Sequence, residues 1–279
     1  MPTFATPEPI TVAVSLITGQ ARIVASDRVD TVVEVQPYDA AVGADVKAAD
    51  QAVVEFTNGR LVVRAPKLGG LFGGQGALDV RIDLPAGSEV RGSAATAVFR
   101  CEGQLGKCGF KTGTGDIALD DTGPLSVEAG RGDITAGRVD GGAEVTLGHG
   151  TVRLAEVEGP AVVKSAGGDT WIGSAGASVR VNASRGAITV GRAAAAVEAR
   201  TARGRISIGE VREGSFVLET GIGDIDFGIG EGTSARLDVS TRRGWVENSL
   251  DLVDNPQPAS RTAAVRARTS NGDIMIRRA

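Results

Sequence analysis

From Cys101 onward the hydrophobic positions of the chain recur in a fixed phase around a glycine. The glycines are Gly115, Gly132, Gly150, Gly168, Gly186, Gly204, Gly223, Gly244 and Gly272. Five places before them stand Phe110, Val127, Val145, Val163, Val181, Ala199, Leu218, Val239 and Ala267. Two places after them stand Ile117, Ile134, Val152, Thr170, Ile188, Ile206, Ile225, Val246 and Ile274, of which only Thr170 is polar. Four places after come Leu119, Ala136, Leu154, Ile172, Val190, Ile208, Phe227, Asn248 and Ile276, and three places before, small or hydroxylic residues prevail, such as Thr112, Ala129, Thr201, Thr220, Thr241 and Thr269.

Polar residues alternate with these columns, which is the period of a strand with one buried face, and the central x-x-G-D is turn chemistry. Each unit, V-x-V-x-T-x-x-G-D-I-x-I-G, is therefore two short strands around a bend. A further apolar position seven after the glycine (Val139, Val157, Ala175, Ala193, Val211) gives the unit a third inward side.

One such unit cannot fold alone. Roughly five inward side chains contribute about 1.5 to 3 kcal/mol each on burial, against about 1 to 2 kcal/mol of backbone entropy for each of some 18 residues. Stacked at about 4.8 Å per layer, the units share one core and hydrogen-bond to their neighbours. The expected fold is all-β: a parallel β-solenoid (single-stranded β-helix) of nine coils, each of about 18 residues, over 101–279. In it the glycine supplies a positive-φ corner and the aspartate caps that turn through its own side chain.

Residues 1–100 carry a degenerate form of the pattern and are expected to be an N-terminal β region capping the solenoid. Val14, Leu16, Gly19, Ala21 and Ile23 keep the offsets, as do Val54, Phe56, Gly59, Leu61 and Val63. Pro66–Gly76 reads as a mobile glycine loop and Ser249–Ala264 as a loop-like insertion with two prolines. After it, Val265–Ile276 forms the last coil, whose edge is either covered by the insertion or open to a partner.

Composition narrows the function classes. The chain has 40 glycines, 4% aromatic residues and one histidine among 279 residues, which favours turns between small strands. Its net charge of −4 is spread over interleaved acids and bases, leaving no basic block for nucleic acid. No segment approaches 18 apolar residues, and the start lacks a basic region followed by an apolar run, so no membrane association and a cytoplasmic location are expected, with a surface location the alternative. Cys101 and Cys108 sit in no metal or nucleophile spacing and are expected as buried thiols.

No catalytic, cofactor-binding or metal-binding residues emerge. The aspartates Asp116, Asp133, Asp169, Asp224 and Asp273 form an interrupted column better suited to turn capping than to calcium, and Arg131-Gly132-Asp133 falls on the repeat template. His149 occupies a turn slot held elsewhere by Arg131, Arg185 and Arg203. Trp171 and Trp245 fall on outward or corner sites, Trp171 near Arg153, and with Ile274 and Ile276 of the last coil they make up the expected partner surface. Lys111 with Glu128, and Arg180 with Glu198, occupy equivalent outward sites on consecutive coils and predict charge ladders.

These columns, with the opening "TPEPITVAVSLITGQARIVASDRVDTVVEV", the bridge "DLPAGSEVRGSAATAVFRCEGQLGKCGFKTGTGDI" and the ending "NGDIMIRR", resemble the putative-adhesin family of bacterial β-strand-repeat proteins, and its actinobacterial members in particular. The resemblance covers essentially the whole chain and implies a β-solenoid with no established catalytic function. Gly168-Asp169-Thr170, Gly186-Ala187-Ile188, Gly204-Arg205-Ile206 and Gly244-Trp245-Val246 depart from the triplet. The leading expectation is a non-catalytic structural or interaction scaffold that binds a protein partner or itself. The alternatives are a carbohydrate-binding or carbohydrate-active β-helix protein and an end-to-end polymerising, cytoskeletal-type filament.

Overall fold

The computed structural model describes residues 1–66, 76–250 and 261–279. The glycine loop expected at Pro66–Gly76 and the insertion expected at Ser249–Ala264 fall largely outside the described residues. The fold is an all-β parallel β-solenoid, and the chain forms two compact units, Met1–Arg138 and Val139–Ala279.

The first unit contains β1 (Thr3–Ala5), β2 (Thr11–Ser15), β3 (Thr18–Ser26), β4 (Asp30–Pro37), α1 (Gly43–Asp50), β5 (Val53–Thr57), β6 (Arg60–Arg64), β7 (Ala77–Pro85), β8 (Glu89–Leu105), β9 (Cys108–Thr114), β10 (Ile117–Thr122), β11 (Leu125–Arg131) and all but the last residue of β12 (Ile134–Val139). The long β8 serves two faces: Glu89–Ser93 pairs in parallel with β2, and Thr96–Glu102 with β3. On its other side β8 pairs in parallel with β9 and β10, so that coil follows coil.

Beyond β2 and β3 the chain order is interrupted. The next parallel layer is β6 and β7, which come later in sequence, so the first coil of the chain is an interior layer. Antiparallel strands finish the unit: β5 against β6, β4 against β7, and β1 against β4. The segment around Gly59 is thus a hairpin rather than a coil. Asn58 and Gly59 both have positive φ (50° and 72°), the two-residue turn that reverses a strand, whereas at Gly19 a single positive-φ residue bends the chain and lets it continue in parallel.

Helix α1 is absent from the repeat-based expectation. Asp45 anchors it, accepting hydrogen bonds from the Asp39 N–H (3.1 Å) and the Ala77 N–H (2.8 Å), while Ala48 is buried. A Cβ on Gly76 would stand 2.1 Å from the Ala44 carbonyl oxygen, so glycine is what lets the strand approach this helix.

The second unit contains β13 (Ala143–His149), β14 (Val152–Val157), β15 (Ala161–Gly167), β16 (Thr170–Ala175), β17 (Val179–Arg185), β18 (Ile188–Ala193), β19 (Val197–Arg203), β20 (Ile206–Val211), β21 (Gly214–Ile222), β22 (Ile225–Ile229), β23 (Thr233–Thr241), β24 (Val246–Asn248), β25 (Arg261–Asn271) and β26 (Ile274–Arg278). Odd-numbered strands from β13 to β21 stack in parallel on one face and even-numbered strands from β14 to β22 on another. The expected columns line the core: Val145, Val163, Val181, Ala199 and Leu218 are buried, as are Val157, Ala175, Ala193 and Val211 at the third inward side.

The corners hold the layers at a fixed distance. All nine repeat glycines have positive φ, between 112° and 156°. At Gly204 (φ 156°) a Cβ would lie 1.9 Å from the carbonyl oxygen of Gly186 in the layer below, and at Gly186 (φ 119°) 2.0 Å from that of Gly168. The threonine three places before the corner binds the same carbonyl row: Thr220 Oγ1 donates to the Gly204 oxygen and Thr269 Oγ1 to the Gly223 oxygen, at 3.0 and 2.9 Å. Outside, Lys111 with Glu128 and Arg180 with Glu198 close at 2.9 Å as cross-layer pairs, each contributing about 0.2 to 1 kcal/mol.

Gly204→Ala is expected to destabilise the fold by at least about 3 kcal/mol, because it adds a steric collision to a backbone conformation that L side chains avoid. Gly109→Ala, where an added Cβ meets nothing within 4 Å, is expected to stay within about 0.5 kcal/mol; chemical denaturation of the two variants checks both. Thr170 stands in an otherwise apolar core column with its hydroxyl buried and without a hydrogen-bond partner among the described residues. Thr170→Val should accordingly stabilise by about 1 kcal/mol, read as a rise in the denaturation midpoint.

Candidate functional site

The layer that ends the second unit is built from β23 and β24, not from the last strands of the chain. β25 pairs in parallel with β21 on one side and β23 on the other, and β26 lies likewise between β22 and β24. Ile274 and Ile276 are buried at 0% and 1% exposure in the middle of this stack. They therefore present no edge, which corrects the expectation that the last coil in sequence is the last in space.

Side-chain chemistry accounts for the exchange. The coil of Gly244 carries Asn248 where the others carry an apolar residue four places after the glycine, and it is the weaker core former. The coil of Gly272 brings Val265, Ala267, Ile274 and Ile276, all buried. Placing the more apolar coil inside and the more polar one outside maximises the apolar area removed from water. The corner bonds follow the spatial order: Thr241 Oγ1 donates to the Gly272 oxygen at 2.9 Å, and the Trp245 N–H to Asp273 Oδ1 at 2.9 Å.

The outer layer is only partly covered. Ala235, Leu237 and Val239, its inward column on β23, are half-buried where equivalent residues of inner layers are buried. Val246 is 44% exposed and Trp245 81% exposed. Among the described residues β23 and β24 each have a ladder partner on one side only. The signal for this edge was present in the sequence as Asn248, the polar member of an apolar column.

Trp171 stands apart, outward on β16 between Arg153 of β14 and Thr189 of β18. It is 41% exposed, and its ring tip lies over Gly173, where a Cβ would meet it at 2.9 Å. Part of the ring therefore covers a glycine of its own strand, and the remainder faces solvent. The structure does not bring Trp171 and Arg153 together with Trp245: they occupy different layers, separated by the coils of Gly186, Gly204, Gly223 and Gly272.

The aspartate column caps turns across layers. Asp116 Oδ1 accepts the Asp133 N–H, Asp169 Oδ1 the Ala187 N–H and Asp224 Oδ1 the Asp273 N–H, at 2.8 to 3.0 Å. Each carboxylate thus serves the equivalent position of the next coil rather than its own turn. Among the described residues no three His, Cys, Asp or Glu side chains are grouped to hold a metal ion. His149 is exposed, opposite Gly167 in register.

Cys101 and Cys108 are buried free thiols. Burial, with Cys108 adding to it, pushes the Cys101 thiol well above its ordinary value near 9, and burial pushes Cys108 up to about 11. On the surface of the same unit, the Arg22 guanidinium bonded to Glu102 holds that carboxyl below its usual range. No helix among the described residues is long and apolar enough to cross a membrane.

No protein-family model matches the chain, and no curated protein matches it. Solved structures similar to it include a putative cell adhesion protein from Clostridium sporogenes (11% identity, TM-score 0.25, covering 100% of this chain and 98% of the other). Two others are a putative adhesin from Bacteroides fragilis (13%, TM-score 0.40, 100% and 95%) and a putative adhesin from Parabacteroides merdae (11%, TM-score 0.43, 99% and 95%). Likeness at this level carries no weight for the function of this chain.

The raised thiols give a pH dependence. Unfolded thiols ionise from about pH 8.5 while the folded ones stay protonated, so their contribution to stability is complete below that value and is lost as pH climbs towards 11. Denaturation midpoints should fall more steeply between pH 8.5 and 11 for the native sequence than for Cys108→Ala, checked by urea titrations across that range.

Proposed function

We propose that the protein is a non-catalytic, adhesin-like interaction scaffold that engages a protein partner or a second copy of itself through the β23/β24 layer. The observation that supports this reading is the half-covered inner column of that layer, with Trp245 and Val246 exposed beside strands paired on one side only. An incoming strand would complete the ladder and bury Leu237 and Val239, the mode known as strand addition. In this reading residues 1–100 form the cap and 101–279 the scaffold. The solvent-facing part of Trp171 beside Arg153 is a second contact surface, and Ile274 and Ile276 act from within by supporting the layer above them.

The test is light scattering over a concentration series together with partner capture from the native host, on the native chain and on Val246→Lys. Val246 is exposed enough to accept the charge without refolding the layer, and a lysine on an edge strand opposes pairing. Concentration-dependent growth or saturable capture, reduced at least about tenfold by the substitution, is the expected result. A strict monomer that captures nothing would overturn the proposal.

A further inference from the structure

The outer face of the first unit holds a feature that none of the repeat columns accounts for. Strands β4, β7, β3 and β8 lie side by side, and their outward side chains form two rows. In one row Glu34, Arg81, Arg22 and Arg100 stand opposite one another in register; in the other, Gln36, Asp79, Gln20 and Val98 do so. Together with Glu102 they line a concavity of about 490 Å³.

The arginine row is longer than the like-charge pairing seen elsewhere among the described residues. Lys111 faces Glu128 and Arg180 faces Glu198, opposite charges in register, and the like pair Arg185 and Arg203 involves two layers only, whereas here three arginines stand on three adjacent strands about 4.8 Å apart, an arrangement that costs stability. Two are partly compensated from the next row: Arg22 makes two hydrogen bonds to Glu102 at 2.8 and 2.9 Å, and Arg81 lies 3.2 Å from Asp83. Arg100, at the end of the row and exposed, makes no salt bridge among the described residues, and neither does Asp79 in the neighbouring row.

We propose that this concavity binds an acidic polysaccharide. A carboxylate or sulfate group of the chain pairs with Arg100 and with the open edges of Arg22 and Arg81, and neighbouring hydroxyls are held by Gln20, Gln36 and Asp79. Guanidinium forks match an oxyanion's geometry, while amides and a carboxylate both take hydroxyl groups. Val98 and Ala21 are the apolar lining residues, which leaves no pocket for the side-chain anchors that fix a peptide. The inference goes beyond the strand-addition reading and does not depend on it.

The full chain is titrated calorimetrically with polygalacturonate and with heparin, alongside neutral dextran and poly-L-glutamate. Binding to at least one acidic polysaccharide is expected, falling with added salt, with none to dextran and weaker binding to polyglutamate. Arg100→Ala should weaken it about tenfold, or about 1.4 kcal/mol, and Arg100→Lys should recover only part of that loss because the fork is gone. Lys111→Ala, a basic surface residue outside the concavity, should change nothing, and thermal melts show that each variant is folded. Absence of binding to both polysaccharides, equal binding of dextran, equal or tighter binding of polyglutamate, or indifference to Arg100→Ala would each overturn the proposal. Loss of polysaccharide binding with self-association or protein capture intact removes this inference alone.

Discussion

The structure depends on how closely one corner can sit on the next. A parallel ladder fixes adjacent strands at about 4.8 Å, and at a bend that spacing brings backbone against backbone with no room for a side chain. The stacked glycines answer this steric demand, their missing Cβ atoms leaving space where Gly186 lies under Gly204. The row of carbonyls so exposed then becomes a row of acceptors. Threonines on the rising strand donate to it, as Thr220 does, while aspartates past the corner accept a backbone N–H of the next layer, as Asp224 does from Asp273. Every corner is tied to its neighbour by sterics, and several are tied again by a hydroxyl, a carboxylate or both. The apolar columns supply the driving force, and the corners set the register in which it acts.

A stack with this much interlayer bonding has its weakness at its outermost layers. In both units the answer is to place the coil nearest the chain end inside. β2 and β3 are held between β8 and the later pair β6 and β7, and β25 and β26 between β21 and β22 on one side and β23 and β24 on the other. Layers paired on one side open more readily than those paired on both, so these coils are held more firmly than the layers outside them. In the first unit the outer layer is further closed by antiparallel strands and Asp45-anchored α1. In the second, the outer layer carries Asn248, Trp245 and a half-buried column and stays partly uncovered among the described residues.

The architecture was legible in the sequence because the repeat is a direct record of a repeated environment: a residue five before the glycine faces the core in every coil, and the burial of Val163 or Leu218 follows from that alone. What the repeat could not carry was the order of the layers, since a coil's columns look the same whether it lies above or below its sequence neighbour. Ile276 was for that reason placed at an edge when it lies in the core. Local turn chemistry was the second gap: Asn58-Gly59 fits the glycine column, yet two successive positive φ values turn the chain back on itself. Helix α1 lies where the pattern lapses, and its anchor, Asp45, bonds to residues six and 32 positions away that no local reading connects. The outward arginine row is not legible in the sequence because Arg22, Arg81 and Arg100 fall where the repeat is degenerate, and their alignment exists only once β4, β7, β3 and β8 are set in register.

The out-of-order layer has a consequence for how the chain is made. During synthesis β23 and β24 leave the ribosome before β25 and β26, yet the ladder they join is formed by those later strands. Layers from β13 to β22 can be added one upon another as they emerge, each finding its support already in place. The final layer differs: apart from the Thr233 hydroxyl bonded to the Arg212 carbonyl, the ladder of β23 and β24 needs residues 261 to 278 in the space beneath them. The topology of the second unit is thus sequential through its middle and closes by insertion, so that its outer layer is complete only when its last strand is in place.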